Sequence, residues 1–390
     1  MPLFTPTPLE QLLEIAVNQR QISIGLPKSD NHSDRRFPLT PEAARMLIDK
    51  GFVVKMQTGA AEAIHYTDYR YRQNGVDIVD RREALRCDIV ISLPAIDPID
   101  ARLLRRGAML LTMFDSAVQD EKLSRFLLHN NITTVALDLV EDDRGNRPFS
   151  DILSEISGRA SIAIASSLLA DPDHGKGILL GGIAGIVPCE VTVLGSDIAA
   201  CAAASSAIGL GAIVRMFDND VYRLRSALKA LGAGVSGSAL HPHVMHGALR
   251  SADVVIASSL KPGLTISSDI VEDMKRGVII IDLNSLNPTF PSLPQIELST
   301  GIMAEAAPEI RPCYVHPANG VPRTAAMALS NALLTMFDEF AGCDNSVNAL
   351  MLTQGMQKAA LTFMGKPVHP AVAKLTGMRH VDIKLIIQFS

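Results

Sequence analysis

Short β-branched apolar runs alternate along this chain with longer stretches whose apolar positions recur at helical spacing. Ile22–Leu26, Phe52–Met56, Asp88–Ser92, Ala108–Thr112 and Thr133–Leu137 read as strands. Thr40-Pro-Glu-Ala opens one of the intervening helices, with Thr40 as N-cap and Pro41 in the first turn. Residues 8–19 read as a short helix ahead of the main fold. A polar, turn-rich loop, Glu141-Asp-Asp-Arg-Gly-Asn-Arg-Pro148, marks a boundary. Beyond it come a helix over Asp151–Leu169 and a glycine-rich stretch, Gly175–Gly185. Strands at Val191–Leu194, Ala212–Phe217, Ala252–Ala257 and Gly277–Asp282 follow, then a long helix over Ala325–Glu339. Strands alternating with helices predict mostly parallel sheets covered on both faces, here as two α/β units of similar size.

The most informative stretch is Val191-Thr-Val-Leu-Gly195-Ser-Asp197-Ile-Ala-Ala200. An apolar strand runs into Gly195, a small-residue helix follows through Ala207, and a second strand ends at Asp218, where the ribose-binding acid of a dinucleotide unit belongs. Two of the three expected glycines are missing. Asp197 stands where backbone must approach a pyrophosphate, and Ala200 stands at the third position. At an effective dielectric near 20, like charges about 4 Å apart repel by roughly 4 kcal/mol. Asp197 escapes that conflict only by pointing away or by taking a left-handed backbone, which Asp tolerates better than most residues.

Composition narrows the classes. A chain of 390 residues is long enough for two cores, and 47% hydrophobic content with no Trp is ordinary for an α/β protein. A formal charge of −5 argues against nucleic acid or an anionic membrane as partner. The five cysteines form no CxxC pair, so neither a zinc site nor a disulfide framework is expected. No signal peptide and no apolar run of membrane-spanning length is visible, which predicts a cytoplasmic protein. His241, His243 and His246 invite a metal reading, but an exposed loop explains them better, so no metal is expected. His316 beside Cys313 reads as a structural or solvated histidine rather than half of a catalytic dyad, and Cys201 near a helix start as a packed small residue rather than an activated thiol.

Several segments resemble a known family when taken in order. They are Pro27-Lys28 with Arg36-Phe-Pro-Leu-Thr-Pro41, Gly51-Phe-Val-Val to Thr58-Gly-Ala, Ser154-Glu-Ile-Ser-Gly-Arg159, Gly175–Gly185, Ser251-Ala-Asp-Val-Val-Ile, Val321-Pro-Arg-Thr and Ala328-Leu-Ser-Asn331. The set is similar to alanine dehydrogenases and to the related nucleotide-binding half of proton-translocating transhydrogenase, from residue 22 almost to the end. The resemblance implies two Rossmann-type doubly wound α/β domains, the NAD-type domain inserted into the substrate domain. Residues 1–147 with 321–390 form the substrate domain on this reading, and 148–320 the dinucleotide-binding-type domain. It also implies a family reaction, the NAD-dependent oxidative deamination of L-alanine to pyruvate and ammonia.

The implied site is incomplete. The family's carboxylate-binding arginine falls on Arg36. Its substrate lysine falls on Pro94, its catalytic histidine on Asp115, its catalytic aspartate on Leu286 and its cofactor-facing asparagine on His316. Arg36, Asp115 and His316 are therefore the candidate catalytic residues, and Gly195, Asp218 and Ser154 the candidate cofactor contacts, with Asp197 unfavourable. An ordinary carboxylate at 115 is ionised near neutral pH and only accepts hydrogen bonds, so it does not reproduce histidine. Three readings follow: a family member whose activity is lost or greatly weakened, with doubtful NAD binding, retained as a binding or scaffold protein; a rearranged NAD-linked oxidoreductase on a small amino or oxo acid; and a non-catalytic subunit beside an intact paralogue. A homo-oligomer, or a hetero-oligomer with such a paralogue, is expected.

Overall fold

The computed structural model describes residues 21–31, 34–118, 120–260, 263–284, 287–298, 312–340, 350–351 and 353–388. The helix expected over residues 8–19 and the position of Leu286 lie outside them. Fifteen strands are described. The first six are β1 (Ser23–Leu26), β2 (Val53–Gln57), β3 (Asp77–Val79), β4 (Ile89–Ile91), β5 (Met109–Thr112) and β6 (Thr133–Ala136). The next seven are β7 (Glu190–Leu194), β8 (Ile213–Phe217), β9 (Val235–Ser238), β10 (Val254–Ala257), β11 (Ile279–Asp282), β12 (Gln295–Glu297) and β13 (Cys313–Val315). The chain ends with β14 (Ala360–Phe363) and β15 (Lys366–Pro367).

They form two sheets. The first has the order β15-β14-β6-β5-β4-β1-β2-β3, and the second β12-β13-β11-β10-β7-β8-β9. The second is parallel throughout. In the first only the contacts of β14 are antiparallel. Side chains alternate between two cores because strand periodicity is two. In the first sheet Ile89, Ile91, Met109 and Leu111 pack on one face, and Val90 and Leu110 on the other. In the second Val191, Val193, Val254 and Ile256 face one core, and Leu194, Val255 and Ala257 the other. This two-sided burial explains the near-continuous apolar runs in the sequence.

In each sheet the strand order reverses at a central pair, between β1 and β4 and between β7 and β10. Crevices at such reversals, outside the carboxyl ends of the strands, are where open α/β sheets hold ligands. Thr40 accepts a hydrogen bond from the Ala43 amide at 3.3 Å and caps the Pro41–Asp49 helix as expected.

The closing hairpin was not legible as strand. Its turn is Met364-Gly365, both with positive φ (46° and 72°), the backbone of a two-residue hairpin turn. It joins the first sheet through a buried threonine: the Thr362 hydroxyl donates to the Ile132 carbonyl at 2.8 Å and accepts from the Thr134 amide at 3.1 Å. The chain thus builds most of the first sheet, all of the second, and then returns to the first.

The Pro148–Ala170 helix is the one described helix long and apolar enough to cross a membrane, and half of that apolar window is buried in the protein. It lies against the Ile198–Gly209 helix with Gly158 at the contact, where an added Cβ would sit 2.1 Å from the Ala199 carbonyl oxygen. Overpacking at such a contact typically costs about 1–3 kcal/mol. Gly158→Ala is therefore expected to lower the thermal midpoint by several degrees, read by circular dichroism, whereas Gly247→Ala, at an exposed helical glycine with open space around its Cβ direction, is expected not to lower it.

Candidate functional site

The second crevice lies between the ends of β7 and β10. Gly195 holds φ +114°, donates its amide to the Phe217 carbonyl at 2.7 Å, and leaves room for only 3.3 Å between an added Cβ and Ser258. The retained glycine is thus required by the close approach of the two strand ends. Asp197 takes neither route expected for it: φ −79° and ψ −174° are ordinary extended backbone. Its side chain turns inward as the N-cap of the Ile198–Gly209 helix, accepting from the Ala200 amide at 2.9 Å. The Ser258 hydroxyl lies 2.7 and 2.8 Å from its two oxygens, and the Ser259 amide donates to it at 3.2 Å. A carboxylate of the chain itself occupies the helix N-terminus that would cradle a pyrophosphate.

Asp218 is equally committed. It is fully buried and accepts from the Ser196 hydroxyl at 2.5 Å, the Asp220 amide at 2.9 Å, and Arg223 Nε and Nη2 at 3.0 and 2.7 Å. Arg223 Nη2 also donates to the Ser259 carbonyl at 3.2 Å. Sequence reasoning missed Arg223, the partner of the expected ribose acid Asp218, and Ser258, the partner of the unfavourable Asp197. Ser154 sits half-buried on the Pro148–Ala170 helix, four residues before Gly158. Gly181 is held by chain geometry, since an added Cβ would lie 2.1 Å from the Leu210 carbonyl oxygen. In this structure the Ala200 amide at the helix N-terminus serves Asp197, and the acid at the end of β8, Asp218, serves Arg223.

The first crevice is open. A cavity of about 530 Å³ is lined there by Lys28, Arg35, Arg36, His65, Ser92 and Pro94, among others. Pro94 and Lys28 also border a smaller cavity of about 290 Å³. Arg36 Nε and Nη2 donate to the two oxygens of Asp34 at 2.8 and 2.6 Å, so its fork already holds a carboxylate. Burial works against the Arg36 charge, but the hydrogen bonds and charge of Asp34, with the charge of Asp138, outweigh it and raise its pKa above the ordinary arginine value. Lys28 Nζ pairs with Glu62 at 3.0 Å.

Asp115 is exposed on the short Phe114–Ala117 helix. Beneath that helix lies Asp138, which follows β6 and accepts from the Phe114 amide at 2.7 Å. Burial pushes the Asp138 carboxyl above its ordinary range; Asp115 adds to the rise and Arg36 opposes it, so the three groups share one neighbourhood. Asp138 was missed, although an acid at the carboxyl end of a strand was a readable signal. His316 does not line the groove. Its Nδ1 lies 2.8 and 2.9 Å from the two oxygens of Glu297, on a left-handed backbone with φ 51°.

The Cys313 thiol is buried and pushed up to about 12 by that burial. Burial likewise raises Cys201, whose Sγ lies 3.7 Å from the Ser196 carbonyl oxygen. His246 Nε2 pairs with Asp273 at 2.9 Å, and no group of three or more metal-ligating side chains occurs among the described residues. Asp282, which ends β11, is buried and raised by that burial; it accepts the amides of Asn284 at 2.9 Å and Thr289 at 2.5 Å, which organises the turn after the strand.

Two parallel-rich, doubly wound sheets with these crevices define a Rossmann-like two-domain α/β protein. The family described as alanine dehydrogenase/PNT matches it twice, through its N-terminal domain over residues 25–160 and its C-terminal domain over residues 161–370. The chain belongs to that family. It is 28% identical over 384 residues to the alanine dehydrogenase of Bacillus subtilis, covering 94% of this chain and 97% of that protein. Among solved structures an L-alanine dehydrogenase superposes with a TM-score of 0.81 at 27% identity, covering 91% of this chain and 99% of that one. The transhydrogenase from Sinorhizobium meliloti shares the fold with a TM-score of 0.72 at 18% identity, covering 90% and 99%.

The raised Asp138 carboxyl has a defined consequence. A group whose folded pKa lies above its unfolded value stabilises the fold below the unfolded value, here 3.8, and that stability is lost as pH rises through the folded value. Asp138→Asn is expected to lessen the loss of stability over that rise, measured as the urea midpoint at a series of pH values. An unchanged pH profile refutes the assignment.

Proposed function

We propose that this chain is a family member that has given up NAD-linked alanine oxidation and acts through its N-terminal groove as a binding or scaffold protein. The observation that carries this reading is the Asp197 carboxylate, bound across the crevice to Ser258 and Ser259 and to the helix N-terminus behind it. The family reaction needs a hydride acceptor in that crevice. It also needs a cation to hold the substrate carboxylate and a protonatable group to polarise the carbonyl or imine. Here Arg36 is the retained cation, and Asp34 already fills its fork. Proline replaces the lysine at 94, and an exposed acid replaces the histidine at 115. The division of the chain into 1–147 with 321–390 and 148–320 belongs to the same reading.

A second reading has one observation in its favour. Asp138, Asp115 and Arg36 influence one another, and burial favours the protonated form of Asp138. That set suits proton transfer on a small amino or oxo acid, and a rearranged oxidoreductase would use it. Such an enzyme would still have to displace Asp197 from its three donors to seat a dinucleotide.

The test is a titration with NADH followed by cofactor fluorescence. No saturable binding is expected for the wild-type chain at millimolar cofactor. Asp197→Gly keeps an acceptable N-cap, at a cost of only a few tenths of a kcal/mol relative to Asp. It is expected to bind at least about tenfold more tightly, equivalent to about 1.4 kcal/mol. Micromolar binding by the wild-type chain overturns the proposal. Failure of both proteins to bind removes Asp197 as the cause.

A further inference from the structure

The first crevice gathers positive charge on a chain whose formal charge is −5. Lys28, Arg35 and Arg36 line its cavity, and Arg323 follows the lining residue Pro322. Two of these cations already hold a carboxylate, Arg36 that of Asp34 and Lys28 that of Glu62. The other two, Arg35 and Arg323, are exposed and make no ion pair or side-chain hydrogen bond among the described residues. Asp34 takes Nε and Nη2 of Arg36 and leaves Nη1 unclaimed.

The position of Arg323 is set by a run of aromatic rings. Its Cζ lies 4.4 Å from the centre of the Tyr66 ring, a cation–π contact. Tyr66 meets Tyr71 edge to face at 6.3 Å, and Tyr71 meets Phe37 in the same way at 6.3 Å. Tyr71 is fully buried and donates its hydroxyl to the Leu39 carbonyl at 2.6 Å. The rings thus tie Arg323 to Phe37, the neighbour of Arg36. His65, next to Tyr66, also lines the cavity. Its backbone is left-handed with φ 58°, which His adopts more readily than most residues. The ring is exposed, has no hydrogen-bond partner among the described residues, and carries an N–H donor in either neutral tautomer.

We infer that this groove takes a small dicarboxylate. One carboxylate meets Arg35 and Nη1 of Arg36, and the other meets Arg323 and the His65 N–H. Ala60, Ile91 and Leu93 line the cavity and suit an aliphatic spacer between them. A monocarboxylate satisfies one unpaired arginine and leaves the other idle, whereas a dicarboxylate satisfies both. Holding one anchor on a stack of packed rings reduces the ordering that binding requires. The inference rests on the proposed reading of this groove as the binding surface of the chain.

The experiment is isothermal titration calorimetry of the full chain with glutarate and with valerate, a monocarboxylate of the same chain length. Glutarate is expected to bind at least about tenfold more tightly. Arg323→Gln is expected to lower glutarate to the valerate level and to leave valerate unchanged. Arg35→Gln, on the other segment, is expected to abolish the tenfold preference as well, so the result does not depend on how one variant folds. Arg36→Gln is expected to weaken both acids. Equal affinity for the two acids, weakened together by Arg36→Gln, overturns the dicarboxylate inference while the groove reading stands. A glutarate preference that survives in both Arg323→Gln and Arg35→Gln also overturns it. Binding of neither acid fails the inference and the groove reading together.

Discussion

One carboxylate governs the second half of this molecule. A helix that starts in a crevice leaves amide donors unsatisfied and concentrates positive potential at its end, so something negative or polar must meet it. In a dinucleotide-binding protein the cofactor phosphate meets that need when bound. Here Asp197 meets it permanently and at the same time ties β7 to β10 through Ser258 and Ser259. The neighbouring acid is treated the same way, since Arg223 neutralises Asp218 and reaches on to the Ser259 carbonyl. Two anionic side chains and their partners thus make internal contacts at the ends of β7 and β8.

The two crevices therefore differ although topology made them alike. Each lies where its strand order reverses. The second is bridged by Asp197, beside which a cavity of about 610 Å³ opens between Glu155, Arg159, Ser196 and Arg223, whereas the first holds a cavity of about 530 Å³ with cationic lining. Even there the fork of Arg36 is held by Asp34. A ligand carboxylate must compete with that pair or be read by Arg36 and its neighbours together, so recognition in this groove rests on more than one arginine.

Much of this was legible in the sequence. The two α/β units, nearly every parallel strand in the two sheet centres and the departure of the glycine turn from its usual pattern were all visible in local patterns. What Asp197 does instead was not, because its partner Ser258 lies 61 residues away and only parallel pairing of β7 with β10 brings them together. Arg223 and Asp138 were missed for a related reason: each looks like an ordinary charged residue until its neighbours are known. The closing hairpin was missed because β14 and β15 are short and one of its two left-handed turn residues is Met364 rather than glycine or asparagine. His316 stood out in the sequence for chemistry, yet the structure gives it Glu297 as partner and no place in the groove lining.

The loss of a cofactor proposed above would not free the unit that held it. The Pro148–Ala170 helix belongs to both cores: Phe149, Leu153 and Ile156 are buried with the first sheet, and Ala160, Ile162, Ala165 and Leu169 with the second. Gly158 lies at the changeover, pressed on the Ala199 carbonyl at the start of the helix that Asp197 caps. An uncapped start would weaken that helix and loosen the surface on which the shared helix rests. The pressure on position 197 is therefore structural as well as chemical. On the proposed reading the side chain at 197 supplies the negative group in place of a dinucleotide, ties the ends of β7 and β10 together and keeps the two halves of the molecule packed on their common helix.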